Sequence, residues 1–322
     1  MTARGLRHRT EYALVMAVRA FVSLWPDSVV RLIGTGIGYT FWAIDGGHRR
    51  LATRQLQAAF PARTGGECRQ ITKQTFAHFG RSLAMLLKFS TLTPAQMKTR
   101  VTYEGVERAR EALAAGKGAF FITGHFGFWE LQGLAHALVL PPMLLLARPL
   151  DNPYLHRMLE RTRTRTGNQV IYRRGAVRRM LRALASNDSV AVLIDQHIQP
   201  VDAVTVQFFN QPAATTSAVA ALALRTGAAV IPSFGLPMPD GKYRMVYEHQ
   251  IEPPRADAAD PIVELTQRCT DVLEMYVRRH PELWLWMHRR WRDDDASPRG
   301  MFPTGTDADS LGDDEPTDED VS

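Results

Sequence analysis

The sequence is poor in the residues and patterns that would give it several familiar chemistries. Only two cysteines occur in 322 residues, Cys68 and Cys269, far apart and without metal-ligand spacing. They offer neither a disulfide framework nor a zinc site, and a reducing compartment suits them. G-x-S-x-G is missing, so no serine elbow is available. H-E-x-x-H is missing too, and His136 does not supply the spacing. The "GTGIG" at 34–38 follows no strand and lacks a third spaced glycine, so it is not a dinucleotide fingerprint. Helix-turn-helix, RNP and zinc-finger signals are absent and aromatics are not interleaved with the arginines, which argues against nucleic acid as a partner.

Long hydrophobic runs are also missing. A spanning helix needs about 20 largely apolar residues. The run from Tyr12 to Trp25 is shorter, is interrupted by Arg19 and stops at Pro26 without a cleavage-site pattern, so no signal peptide is evident. A second run, "VVRLIGTGIGYTFWAI" (29–44), contains Arg31 and several glycines. Both suit helices lying in a membrane interface, with Arg4, Arg7, Arg9 and Arg19 near headgroups and Trp25 and Trp42 at the boundary. Two amphipathic core helices are the competing reading.

Charge is unevenly spread. Of 39 Lys and Arg and 33 Asp and Glu, residues 293–322 hold one and eleven, which leaves 38 basic against 22 acidic residues in 1–292. The last segment has no apolar periodicity and reads as a disordered acidic tail. The basic body should attract an anionic partner, whether nucleic acid, an anionic membrane surface or a phosphorylated or acidic ligand, and a non-catalytic lipid- or nucleic-acid-binding protein is the competing class of reading.

In the middle, short apolar runs alternate with helical patterns. The runs are "AFFIT" (119–123), "MLLLA" (143–147), "QVIY" (169–172), "VAVLI" (190–194) and "AAVIP" (228–232). Helical patterns fall between them, one ending at Gly227 as a C-cap would. Residues 101–118 read as a preceding helix, "YRMVYEHQIEP" as a further strand and 262–279 as a late helix. Near-continuous apolar strands alternating with helices predict an α/β fold, a largely parallel sheet covered by helices on both faces.

Polar residues collect after the apolar runs. Gly124-His125 follows the first, Arg148-Pro149 the second, Arg173-Arg174 the third, Asp195-Gln196 the fourth. Ligands of open α/β sheets bind outside the carboxyl ends of the strands, so these segments predict a rim bearing a base, an acid and cations. In "GHFGFWE", His125 and Glu130 lie five apart, about 140° around a regular helix. They can meet only if His125 precedes the helix and Glu130 lies in its first turns, a sharp turn that Gly124 and Gly127 permit. The imidazole would then accept a proton on one nitrogen while Glu130, or alternatively Asp195, holds the other. That is the base-and-orienter part of an acyl-transfer triad, with the substrate hydroxyl as nucleophile and helix N-terminal amides to receive the oxyanion. A lone strand-end histidine is more often structural, and spacing alone does not decide between the two.

"GHFGFWE" resembles the His-x4-Asp/Glu motif of glycerolipid-type acyltransferases, and most closely the bacterial lipid A biosynthesis (lauroyl/myristoyl-type) family and its relatives that acylate phosphatidylinositol mannosides. "ARPLDNPYLHRMLERTRTRTGNQVI", "VAVLIDQ", "FFNQPAATTSAVAALALRTGAAVIP" and "PELWLWMHRRW" are similar to the family's later blocks, in order, over roughly residues 10–292. Gln55 stands where Asn is commoner, Asn210 where Gly is usual, and Ser217-Ala218 replaces a Thr-Gly type pair. The resemblance implies a membrane-associated O-acyltransferase on the cytoplasmic face of a bacterial inner membrane. Its donor would be acyl-carrier protein and its acceptor a phosphorylated glycolipid, a lipid A precursor; acyl-CoA and a phosphatidylinositol mannoside are the alternative. No cofactor or metal is implied.

On that resemblance His125, Glu130 and Asp195 are the candidate catalytic residues. Arg148, Asn152 and Gln196, from the matching blocks, are candidates for substrate binding. Arg157, Arg161 and Arg165 recur every four residues and form a stripe; with Arg174 they could bind phosphates bidentately or dock an acidic carrier. Trp284, Trp286 and Trp291 suit either an acyl channel, a membrane edge or the core. The expected organisation is membrane-associated helices in 1–60, the acyltransferase domain in 61–292 and the tail in 293–322.

Overall fold

A computed structural model describes residues 3–198 and 203–292; the expected tail, 293–322, lies outside the described residues. Four helices open the chain: α1 (Ala3–Leu24), α2 (Asp27–Ile44), α3 (Gly46–Ala59) and α4 (Gly65–Phe89). A capping box starts α4, in which Thr64 accepts from the Glu67 amide and the Glu67 carboxylate accepts from the Thr64 amide. The glycines of "GTGIG" are a helix-packing device. A Cβ at Gly38 would stand 2.2 Å from the Phe76 carbonyl oxygen, and one at Gly80 2.2 Å from that of Gly34, so α2 and α4 cross backbone to backbone. Gly36, on the other side of α2, faces open space.

Val22 and Val30 of this region are buried, whereas Leu14, Leu24, Leu32 and Ile44 are exposed. The first two helices therefore pack on one side and present apolar side chains on the other. None of the described helices is long and apolar enough to cross a membrane.

The α/β part runs α5 (Pro94–Lys98), β1 (Val101–Glu104), α6 (Val106–Ala114), β2 (Ala119–Thr123), α7 (Trp129–His136), β3 (Met143–Ala147), α8 (Pro153–Arg163), β4 (Gln169–Tyr172), α9 (Ala176–Ala185) and β5 (Ser189–Leu193). It continues with β6 (Ala203–Phe208), β7 (Gln211–Thr216), α10 (Ala218–Thr226), β8 (Ala229–Pro237), β9 (Tyr243–Tyr247) and α11 (Pro261–Arg279), then a 3₁₀ turn at Pro281–Leu283. Seven strands form one sheet in the order β1-β9-β8-β2-β5-β3-β4. The five from β8 to β4 are mutually parallel; the β8–β9 pair is antiparallel.

The strand β2 shows why its sequence is apolar at every position. Phe120 and Ile122 enter one core with Met180 of α9, Val219 of α10 and Leu265 of α11. Ala119 and Phe121 enter a second core with Met85 of α4, Ala109 of α6 and Leu131 of α7. Helices cover both faces, so neither side of the strand can be polar.

The structure departs from the sequence reading in two places. The start of 101–118 is a strand, because Val101–Glu104 pairs with β9 and Gly105, at φ +74°, separates it from α6. In addition, "FFNQPAATT" lies in a β6–β7 hairpin. Its two turn residues, Phe209 and Asn210, have φ of 54° and 57°, as a two-residue turn of this kind requires. Asn tolerates that backbone where Gly is usual. Phe209 is held there by its amide, which donates to Glu274 at 2.6 Å, and by Arg278 4.4 Å above its ring.

Candidate active site

Strands β2, β5, β3 and β4 are neighbours and point the same way. Their carboxyl ends therefore share one rim, with His125 after β2, Asp195 after β5, Arg148 after β3 and Arg174 after β4. Adjacency of β2 and β5 brings the first two into contact, although 70 residues separate them.

Their geometry is specific. His125 donates through Nδ1 to Asp195 Oδ1 at 2.8 Å, and its backbone N–H donates to Oδ2 at 2.6 Å. The indole N–H of Trp284 donates to the same Oδ2 at 2.8 Å. Burial raises the pKa of Asp195, whose side chain is 3% exposed, but the facing imidazole and the three N–H donors outweigh it and hold the group at about 2. Asp195 is therefore ionised, and an ionised carboxylate fixes the Nδ1–H tautomer. The other nitrogen, Nε2, lies 3.3 Å from the amide nitrogen of exposed Gln196. The His125 side chain is 18% exposed, so the ring reaches the surface on its Nε2 side.

Two glycines make the turn possible. A Cβ on Gly124 would lie 2.9 Å from Asp195 Oδ2, so only glycine leaves room for the carboxylate. Gly127 has φ +59°, and a Cβ there would stand 2.2 Å from the Gly235 carbonyl. From α4, the buried ring of His78 donates through Nε2 to the Gly127 carbonyl at 2.9 Å. Burial lowers the His78 pKa to about 4, so this prop stays neutral. The Trp129 ring lies 5.3 Å from that of His125.

Glu130 sits in the first turn of α7, but it does not orient His125. Its carboxylate accepts a bidentate pair from Arg163, at 2.6 and 2.9 Å, and ties α7 to the end of α8. The orienting contact belongs to Asp195, the alternative weighed in the sequence. The physical reason is strand order: β5 lies beside β2, while Glu130 points across the helix layer.

The expected substrate-binding residues divide. Asn152 is the N-cap of α8. Its oxygen accepts from the Tyr154 and Leu155 amides, and its nitrogen donates to the His8 carbonyl and to Glu11. Those bonds make it a tie between α8 and α1 rather than a group facing substrate. Arg165 donates to the Ser90 carbonyl at 2.7 Å and so docks on the end of α4. Arg148, Arg157, Arg161 and Arg174 are exposed.

Trp284 and Trp286 are buried, which decides for the core. Four residues with structural roles at the site escaped the sequence reading: Arg163, His78, Trp284 as a donor, and Gln55. The last reaches from α3 to donate to the carbonyls of Trp286 and His288, at 2.6 and 2.7 Å, and accepts from the Arg290 amide. The density of tryptophan in "WLWMHRRW" was a signal for buried packing; nothing in the spacing linked it to Asp195. Among the described residues no cluster of His, Cys, Asp and Glu could hold a metal ion.

The fold and the dyad define a class, α/β proteins whose sheet rim carries a histidine held by a buried carboxylate. Residues 2–293 match the family model described as bacterial lipid A biosynthesis acyltransferase. The chain belongs to this family, and it is an acyltransferase. It is 27% identical over 280 residues to the lipid A biosynthesis lauroyltransferase of Escherichia coli (strain K12), covering 86% of this chain and 88% of that protein. It is also similar to the myristoyltransferase of the same strain, 24% identical over 276 residues, covering 85% and 84%. A third relative, the palmitoleoyltransferase of that strain, is 24% identical over 274 residues, covering 84% and 88%.

Proposed function

We propose that the protein transfers a fatty acyl group from acyl-carrier protein to a hydroxyl of a phosphorylated glycolipid, a lipid A precursor. The Nδ1–H to Asp195 contact, with Nε2 facing the open rim, carries this reading. His125 Nε2 takes the hydroxyl proton as the oxygen attacks the thioester carbonyl carbon. Asp195 holds the ring and stabilises the imidazolium. When the tetrahedral intermediate collapses, the C–S bond breaks and the departing sulfur takes the proton back from Nε2. Positioned proton transfer of this kind gives about 10²–10⁴-fold, and proximity and oxyanion stabilisation provide the remainder.

Exposed Arg148, Arg157, Arg161 and Arg174 supply cations for acceptor phosphates or an acidic carrier. The exposed apolar residues of α1 and α2 support a position lying in a membrane interface, and the proposed acceptor and carrier-protein donor put that interface on the cytoplasmic face of the inner membrane. The three relatives carry three different acyl groups in their names, so the name of a relative does not transfer a chain length. His125→Ala tests the reading. Purified variant and wild type are given acyl-carrier-protein and acyl-CoA thioesters with a lipid A precursor, and the products are weighed by mass spectrometry. Loss of product with the fold retained is expected, at a lower thermal midpoint because buried Asp195 loses its facing imidazole and one donor. Equal product from both proteins sinks the role of His125, and transfer from acyl-CoA alone replaces the donor.

A further inference from the structure

The segment after α11 grips the base on three sides. The Gly127 N–H donates to the Leu283 carbonyl at 2.9 Å, and the Leu285 N–H donates to the carbonyl of His125 itself at 3.0 Å. Phe126 thereby forms an antiparallel bridge with Trp284. Between these two backbone bonds the indole of Trp284 reaches Asp195 Oδ2. With the His125 amide on the same oxygen, Oδ2 is occupied by two donors, and Oδ1 is left to face Nδ1.

The segment is fixed in turn at its far end. Gln55 bonds Trp286, His288 and Arg290. The buried Arg290 guanidinium donates to the Ala214 carbonyl at 2.6 Å and to the Thr215 hydroxyl, and lies 5.5 Å over the Phe208 ring. Burial lowers its pKa to about 10, while the charge of Asp195 opposes that fall.

We infer that Trp284 is a positioning residue for the acyl transfer, one that aims the Asp195 carboxylate at the imidazole through a single N–H donor. The inference rests on the reading of His125 as the base and Asp195 as its partner. A buried tryptophan that only filled space would contribute its area equally well without the nitrogen. Here the N–H is spent on the one carboxylate that touches His125, and its loss leaves Oδ2 with one donor and the carboxylate free to rotate. A hydrogen bond to a charged group is worth enough that removing it should lower turnover about ten-fold.

Two variants of the full chain separate geometry from packing. Trp284→Phe removes the donor and some volume. Replacement of Trp284 by 3-benzothienylalanine, introduced site-specifically, removes only the N–H and keeps the ring shape. Both are measured for kcat, KM, pH profile and thermal midpoint, alone and in an Asp195→Asn background. The expected result is a kcat lower by about ten-fold with KM within about two-fold, since the residue touches no substrate. The acid limb should move to higher pH, because one donor that keeps Asp195 ionised is gone. In the Asp195→Asn background neither replacement should reduce kcat further, because both act through one group. Wild-type kcat in the benzothienyl protein overturns the inference, as does a full ten-fold further loss in the Asn background. Wild-type turnover in Asp195→Asn and His125→Ala is a different failure: it removes the base itself, whatever Trp284 does.

Discussion

Asp195→Asn is the substitution that weighs most heavily on this site. The carboxylate accepts three N–H donors and is almost fully buried. An amide of the same size can keep its oxygen on the two donors at Oδ2, which turns its NH₂ group toward His125 Nδ1. That group is a donor, so the imidazole must accept on Nδ1 and carry its proton on Nε2, the nitrogen that should be free to take one. A wrong tautomer of this kind costs on the order of 10³–10⁴ in kcat. Stability should fall as well. The group is held at about 2 against an ordinary 3.8, and each unit is worth about 1.4 kcal/mol, so roughly 2–3 kcal/mol is at stake at neutral pH. Because the folded pKa is the lower one, this stability is present above pH 4 or so and fades as pH falls from there toward 2. The assay is acyl transfer by purified protein, with thermal unfolding scanned from neutral to acid pH. Glu130→Gln is the contrast: it leaves half-buried Arg163 without its nearest charge partner, at a cost of about 1–3 kcal/mol, and should show in the thermal midpoint and KM more than in kcat. Should Asp195→Asn retain turnover within ten-fold of wild type while Glu130→Gln abolishes it at an unchanged midpoint, the assignment of the orienting carboxylate would be wrong.

Three further outcomes follow from the geometry. Gly38→Ala should lower stability by about 2–3 kcal/mol, because its Cβ would meet the Phe76 carbonyl at 2.2 Å and Ala77 Cα at 2.7 Å; Gly36→Ala, facing open space, should be neutral or stabilising by up to about 1 kcal/mol, and chemical denaturation compares the pair. Arg157→Glu with Arg161→Glu should raise the KM for a phosphorylated acceptor by about ten-fold or more and weaken its salt dependence, with the thermal midpoint unchanged because both residues are exposed; an unaltered KM over a salt series refutes a phosphate-facing role. Leu24→Ser, Leu32→Ser and Ile44→Ser combined should reduce flotation with anionic vesicles by about 100-fold, from roughly 1 kcal/mol of lost apolar burial per site, and equal flotation of variant and wild type removes the interfacial role of α1 and α2.

Much of the fold was legible because its strands are buried on both faces. A strand such as "AFFIT" cannot alternate when Phe120 and Phe121 enter two different cores, and its unbroken apolar run marked the element to the residue. The β6–β7 hairpin escaped because its turn is Phe209-Asn210 rather than a glycine pair, and its positive φ values are enforced from α11 by Glu274 and Arg278. The resemblance suggests Asn152, and the four-residue repeat suggests Arg165, as substrate-facing residues. Their partners, Glu11 and the Ser90 carbonyl, come from the first and fourth helices, whose docking no local spacing encodes.

By itself the sequence determined that a histidine, an acid and several arginines would stand at strand ends, with a second acid in the helix that follows the histidine, since apolar period and turn residues fix where each strand stops. Which acid reaches the histidine was decided only in three dimensions. Strand order sets β5 beside β2 and hands His125 to Asp195, while α8 turns Arg163 onto Glu130. Hydrogen bonds reach about 3 Å, and contact at that range between residues 70 apart depends on how sheet and helices pack.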